Sequence, residues 1–213
     1  MLPKTNEEMV EALAGAGYIK SKRVKEAFLK TDRKKFIPQD CGEFCYANMP
    51  YQTLRGQTIS APSIAAEMVE MLEVERGNRV LEVGSGSGYL LCILSYLSEP
   101  GLCIGIERIN ELVEFGRKRL KEEGRANAKV EEGDGSEGWP AEAPYDKIIF
   151  SGAMPSIESL ETAKEQLKEK GIIVAPVGAG VQRLVRWKNG AWEEIEDVIF
   201  VPIIGKKGFK LID

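Results

Sequence analysis

Apolar positions recur along this chain at two different spacings. Near the amino end Met9, Leu13 and Ala16 follow Glu7, and Val24, Ala27 and Phe28 follow Ser21, with three or four residues between neighbours. That spacing predicts two amphipathic helices, one from Glu7 to Ala16 capped by Thr5 or Asn6, the next capped by Ser21. Residues 36–60 break the rhythm with Pro38, Gly42, Pro50 and Gly56 among several aromatics, which predicts a long loop suited to a substrate-side wall. Pro62 then fits the first turn of a helix from Ser63 to Leu72. Beyond it, strand-sized apolar runs (Arg79 to Val83, Leu102 to Glu107, Lys129 to Glu132, Lys147 to Ser151, Ile172 to Ala175) alternate with helical segments. Those helices are expected from Tyr89 to Leu97, from Asn110 to Glu122 with Asn110 as cap, and from Ser156 to Leu167. Alternation of this kind predicts a mostly parallel sheet covered on both faces. The tail differs. Asn189-Gly190 between Gln182–Trp187 and the run from Trp192 predicts a tight hairpin, and Val198 to Ile204 a further strand. The expected architecture is one α/β domain over residues 1–213, a three-layer sandwich with antiparallel strands at its carboxyl end, residues 1–60 supplying extra helices and the loop.

Composition narrows the chemistry. The 213 residues carry a formal charge of −4, so no general basic field gathers phosphate backbones, and nucleic acid is not an expected partner. The apolar runs are too short to span a bilayer and the amino terminus is polar, so no membrane association and a cytoplasmic location are expected. There is no histidine, which removes imidazole bases, Ser-His-Asp triads and most zinc sites; no metal is expected. Cys92 and Cys103 lie in apolar segments and read as buried, whereas Cys41 and Cys45 could form a disulfide or hold a metal without any partner pair to support either.

The most specific local signal is Val80-Leu81-Glu82-Val83-Gly84-Ser85-Gly86-Ser87-Gly88-Tyr89, a buried strand entering a glycine turn and a helix. Glycines let a ligand approach the main chain, and Glu107, closing the next apolar run, can accept both hydroxyls of a ribose. A dinucleotide fingerprint would place a third glycine at position 89, which is tyrosine. Glu82, just before the turn, would repel a pyrophosphate but can hold an ammonium. Asp134, next to Gly135 after the third strand of the unit, can accept from an adenine amino group. A nucleoside ligand without phosphates fits these residues, and S-adenosylmethionine is the expected cofactor.

The segment Gly56-Gln57-Thr58-Ile59-Ser60-Ala61-Pro62 resembles the signature of the protein-L-isoaspartate O-methyltransferase family. Asp32-Arg33-Lys34-Lys35-Phe36-Ile37-Pro38, Pro144-Tyr145-Asp146, Pro176-Val177-Gly178 and Phe200-Val201-Pro202 are also similar to family elements. The resemblance runs from about Val24 to Phe209 and implies a fold of the S-adenosylmethionine-dependent methyltransferase type. It implies methylation of the free carboxylate of L-isoaspartyl residues in damaged proteins or peptides, the ester then closing to a succinimide. By the same resemblance Ser60 is the active-site hydroxyl, with Thr58 and Ile59 beside it on the substrate side; Arg55, where the family commonly has another residue, is a candidate to recognise the substrate by bonding its carbonyls or a neighbouring carboxylate. Gln57, Thr58, Glu82, Gly84, Ser85, Gly86, Glu107, Asp134 and Gly135 hold the methyl donor.

The chain departs from the family at Leu54, Arg55 and Ser63, where glycine, histidine and histidine are common, and at Ser151-Gly152-Ala153-Met154. These departures sit on the acceptor side, so a methyltransferase with another acceptor stays open, as does a non-catalytic donor-binding adaptor. A carboxylate acceptor is already ionised at neutral pH, so carboxyl methylation requires no strong base and tolerates the lack of histidine. Nothing in the sequence settles the oligomeric state; a monomer is the simplest expectation.

Overall fold

The computed structural model describes residues 2–210; Met1 and residues 211–213, the ends of the expected domain, lie outside the described residues. Two helices open the chain, α1 (Asn6–Gly15) and α2 (Lys22–Lys30). Thr5, not Asn6, caps α1, its hydroxyl accepting from the Glu8 amide at 3.1 Å. Asn6 is buried instead and donates to the Phe28 carbonyl at 2.9 Å, stitching α1 to the end of α2. The aromatic loop holds a small antiparallel pair, β1 (Tyr51–Gln52) and β2 (Thr58–Ile59), and a disulfide between Cys41 and Cys45. Pro62 begins α3 (Pro62–Leu72).

The alternating unit follows as β3 (Val80–Val83), α4 (Tyr89–Ser98), β4 (Cys103–Glu107), α5 (Asn110–Glu122), β5 (Ala128–Glu132) and β6 (Tyr145–Phe150). After these come α6 (Glu161–Lys164), β7 (Leu167–Val177), β8 (Gln182–Lys188) and β9 (Ala191–Val198). The sheet runs β5-β4-β3-β6-β7-β8-β9. Pairs from β5 to β7 are parallel, and the last two are antiparallel. Asn189 and Gly190 both take positive φ, 54° and 83°, as the tight hairpin turn requires. Because β4 and β6 flank β3, the chain builds outward through β4 and β5 on one side and then crosses back to β6 on the other, and a crevice opens at the carboxyl ends of β3 and its neighbours.

Two apolar cores lie on the two sides of the sheet. One joins α1 to α4 with Val80, Ile149, Ile172 and Val174; the other sets Leu81, Ile104, Ile148 and Ile173 against Leu160, Ala163 and Ile203. Cys92 and Cys103 are buried free thiols. Among the described residues no helix is long and apolar enough to cross a membrane.

Three expectations need correction. The helix expected from Ser156 to Leu167 is a 3-10 turn, Ile157–Leu160, running into the four-residue α6. It stops because Gln166 turns inward to accept from the Trp139 amide and donate to the Glu137 carbonyl, both at 2.7 Å, and β7 begins directly after it. Of the strand expected from Val198 to Ile204, only Val198 joins the sheet, as the last residue of β9. The rest crosses to Ala153, which donates to Val201 and accepts from Ile203; Pro202 between them has no N–H with which to extend a ladder. Asn110 does not cap α5: its amide donates to Glu132 at 3.0 Å, and the Glu107 carboxylate takes the loop amides before the helix.

Candidate active site

The glycine turn rises from β3 with Gly84, Gly86 and Gly88 all at positive φ. At Gly84 the lack of a side chain also matters for space, since a Cβ there would lie 2.9 Å from the Ile203 side chain. At Gly88 it would lie 3.3 Å from the Gly116 Cα, so α5 packs against the loop at main-chain distance. The amides of Gly84 and Ser85 donate to the Ile106 carbonyl, joining the loop to the tip of β4.

A solvent-open cavity, about 600 Å³ with the solvent at its mouth included, lies over this loop. Gln57 and Thr58 form one wall, Gly84, Gly86 and Glu107 the floor, Gly133 and Gly135 a second wall, and residues 201–204 a third. A second cavity of about 450 Å³ meets it at Thr58, Gly84, Gly86 and Ser151 and continues past Ile59, Ser60, Glu82, Ser85 and Tyr89. The loop is thus the floor shared by both, with the β2 segment above it.

The two acids differ in what they hold. Glu107 is 6% exposed; one oxygen accepts from the amides of Arg108 and Ile109, the other only from Gly86 at 3.0 Å. Ionised carboxylates have roughly four acceptor positions, so capacity remains on the oxygen that meets Gly86. Glu82 is buried and accepts from the Ser151 hydroxyl at 2.7 Å, while its second oxygen has no partner. Burial pushes its carboxyl up to about 8, the Ser151 bond opposing and the Glu107 charge adding to the rise. The Ser85 hydroxyl is a second buried polar atom without a partner on the same wall.

These features suit a nucleoside donor with a cationic tail. Glu107 faces the larger cavity with spare acceptor capacity, and Glu82 offers an unsatisfied buried oxygen to an ammonium. A Cβ on Gly135 would collide with Val83 and Ile106, at 2.8 and 3.2 Å, so only glycine leaves that wall open.

Not every expected residue reaches the cavities. Asp134 lines neither: its oxygens accept from the amides of Ser136 at 2.9 Å and Lys206 at 2.8 Å, which anchors the carboxyl-terminal segment. Arg55 lines neither, and its guanidinium pairs with Glu111 on the first turn of α5. Three features escaped sequence reasoning. Ser151 stood out only as a departure, though its place at the end of a wholly apolar strand was a usable signal. Residues 201–204 have strand composition, which hides their place in the cavity wall. Arg33, inside a motif already noted, contacts the Ser60 main chain at 3.1 Å.

A family model described as protein-L-isoaspartate(D-aspartate) O-methyltransferase matches residues 4–208. A protein-L-isoaspartate O-methyltransferase of Methanopyrus kandleri is 42% identical over 221 residues, spanning 97% of this chain and 94% of its own. One from Methanosarcina mazei is 42% identical over 215 residues, spanning 98% and 87%. Among solved structures, a protein-L-isoaspartate O-methyltransferase superposes with a TM-score of 0.85 at 26% identity, covering 95% of this chain and 66% of that one. A Plasmodium falciparum chain described as a protein of the same type, in complex with S-adenosyl-L-homocysteine, gives a TM-score of 0.82 at 26% identity over 95% and 99%.

Proposed function

Because the chain belongs to the protein-L-isoaspartate O-methyltransferase family, we propose that its two joined cavities share the reaction, the larger holding the donor's nucleoside and the smaller both its cationic tail at Glu82 and the isoaspartyl carboxylate beside Ser60. The enzyme methylates isoaspartyl carboxylates in damaged proteins with S-adenosylmethionine as cofactor. Bound across the shared floor, that cofactor would supply a methyl carbon activated by its sulfonium. Glu107 would hold the ribose hydroxyls, Glu82 the ammonium, and Gly84, Gly86 and Gly135 leave room for the nucleoside. The observation that carries this reading is the shared floor: Gly84 and Gly86 line both cavities, with Glu107 in one and Ser60 in the other.

The acceptor oxygen is ionised at neutral pH, so the protein's contribution is alignment and exclusion of water. The Ser60 hydroxyl donates to one carboxylate oxygen and leaves the other to attack. Thr58, present in both linings, sits at the junction. The β2 segment beside Ser60 suits main-chain recognition of varied damaged sequences.

The test uses one peptide made in isoaspartyl and aspartyl forms, with native protein and Ser60→Ala. Methyl ester should form on the isoaspartyl peptide alone. Ser60→Ala should lower kcat by about 10- to 100-fold while donor-product affinity stays within about threefold, the signature of a contact made to the acceptor. Equal loss of donor binding would remove Ser60 from the acceptor role.

A further inference from the structure

Arg33 is fully buried at 0% exposure, and its side chain forms no ion pair with a carboxylate among the described residues. All three guanidinium nitrogens donate to main-chain carbonyls, each at 3.1 Å: Nε to Cys45, one terminal nitrogen to Met49, the other to Ser60. The cation lies over the Tyr89 ring, 5.9 Å from its centroid. Tyr89 is the first residue of α4, directly after the glycine loop, and the edges of Phe28 and Phe36 hold its ring.

Burying an unpaired cation costs several kcal/mol, and an apolar side chain would fill the same space without that cost. Three charge-assisted bonds offset the loss, and the flat fork of arginine sets their directions. Burial draws the guanidinium down to about 10, which leaves it charged at neutral pH. The neighbouring side chains reinforce the same loop. Asp32 accepts from the Tyr46 hydroxyl at 3.0 Å, and Asn48 accepts from the Ser63 amide at 3.0 Å. Residues 45–49 and 60–63 are therefore tied together, with Arg33 at the centre and the donor-loop helix behind it.

We propose that Arg33 is a positioning residue, whose guanidinium fixes the main chain at Ser60 against the Tyr89 end of α4 and so sets the acceptor hydroxyl relative to the glycine loop. This rests on the acceptor role given to Ser60 above. Lysine at this position keeps the charge but has no fork to join three carbonyls. The donor cavity draws none of its lining from residues 33, 45 or 49, so its affinity should survive the change.

The experiment compares native protein, Arg33→Lys, Arg33→Ala and Ser60→Ala by kcat and KM on an isoaspartyl peptide and by calorimetry with S-adenosylhomocysteine. Arg33→Lys should lose at least about tenfold in kcat with donor-product affinity within about threefold, and millimolar guanidinium should restore part of the activity of Arg33→Ala. Unchanged kcat in Arg33→Lys, or parallel loss of kcat and donor affinity without guanidinium rescue, would overturn the proposal. If Ser60→Ala alone proves neutral, the Ser60 reading fails; if Ser60→Ala is slow and Arg33→Lys is not, only the positioning role fails. Should the Arg33 variants not fold, native protein labelled with 15N-arginine decides the matter. The solvent-protected Nε–H resonance should shift when isoaspartyl peptide saturates the site, and no shift would overturn the proposal.

Discussion

The Ser151 hydroxyl donates to one oxygen of Glu82 at 2.7 Å, across the tips of two paired strands, and leaves the other oxygen buried without a partner. An acid half satisfied by the protein is a socket for a cationic ligand group, because an unpaired buried polar atom is costly until a donor arrives.

Glu82→Gln should therefore weaken S-adenosylhomocysteine binding by about 10- to 100-fold, the range expected when a hydrogen bond to a charged group is lost. Ser151→Ala should cost less, about two- to fivefold, since it frees the carboxylate without removing it. The double variant should be no weaker than Glu82→Gln. Full additivity in calorimetry would show that Ser151 does not act through Glu82.

The same acid gives the protein a pH dependence of stated sign. Glu82 ionises at its ordinary 4.5 in the unfolded chain and at about 8 in the fold. Between those values the folded form holds a proton that the unfolded form releases, so this contribution to stability is present below 4.5 and is lost as pH rises through 8. The decline is at most about 1.4 kcal/mol per pH unit. Two other titratable groups face it: Glu107, whose charge raises it, and the Cys103 thiol, itself pushed up to about 12 by burial and silent in this window. The melting temperature of native protein should fall relative to Glu82→Gln between pH 5 and pH 8, and parallel curves would rule the assignment out. An ammonium on Glu82 favours the ionised form, so donor-product affinity should climb with pH over this window, with proton release visible as a buffer-dependent heat.

Asp134 lies between the cavity-lining Gly133 and Gly135 without lining the cavity itself. It fixes Lys206 and Ser136, and the segment it anchors begins at the wall formed by residues 201–204. Asp134→Ala should reduce donor-product affinity by several-fold to about tenfold, and should loosen the main chain at the already exposed Lys206 and Lys207 so that trypsin cuts there faster. Asp134→Asn keeps one acceptor oxygen and should lie between. Weaker binding with unchanged cleavage would instead argue for direct contact with the donor.

Much of this arrangement was readable from local pattern. The glycine turn, the acids at two strand tips and the Asn189-Gly190 hairpin depend on neighbours in sequence, and each stands at its expected place in the chain. What escaped depends on distant pairings. Ser151 meets Glu82 across 69 positions, and Arg33 meets Ser60 across 27. Apolar periodicity does not encode which buried polar groups find one another. The run from Val198 to Ile204 has strand composition, but Pro202 and the pull of Ala153 take it off the sheet to wall the cavity.

Arg55, a candidate for substrate recognition, pairs its guanidinium with Glu111, which holds the tip of the β1–β2 turn against α5. Arg55 itself takes a left-handed conformation, φ 55°, at that tip, and Gln57 and Thr58 just beyond it roof the larger cavity. The Arg55 side chain holds the Glu111 carboxyl below its ordinary value. Both groups are exposed, so the pair contributes little to global stability and is screened by salt. Its effect should appear in the roof: Glu111→Gln should speed release of S-adenosylhomocysteine by about two- to fivefold at low ionic strength, and the difference should vanish near 1 M salt, where the screening length is about 3 Å. Arg55→Ala should match it, with the KM for an isoaspartyl peptide unchanged. A raised peptide KM in Arg55→Ala but not in Glu111→Gln would return Arg55 to the substrate, since only then would the guanidinium matter apart from its partner.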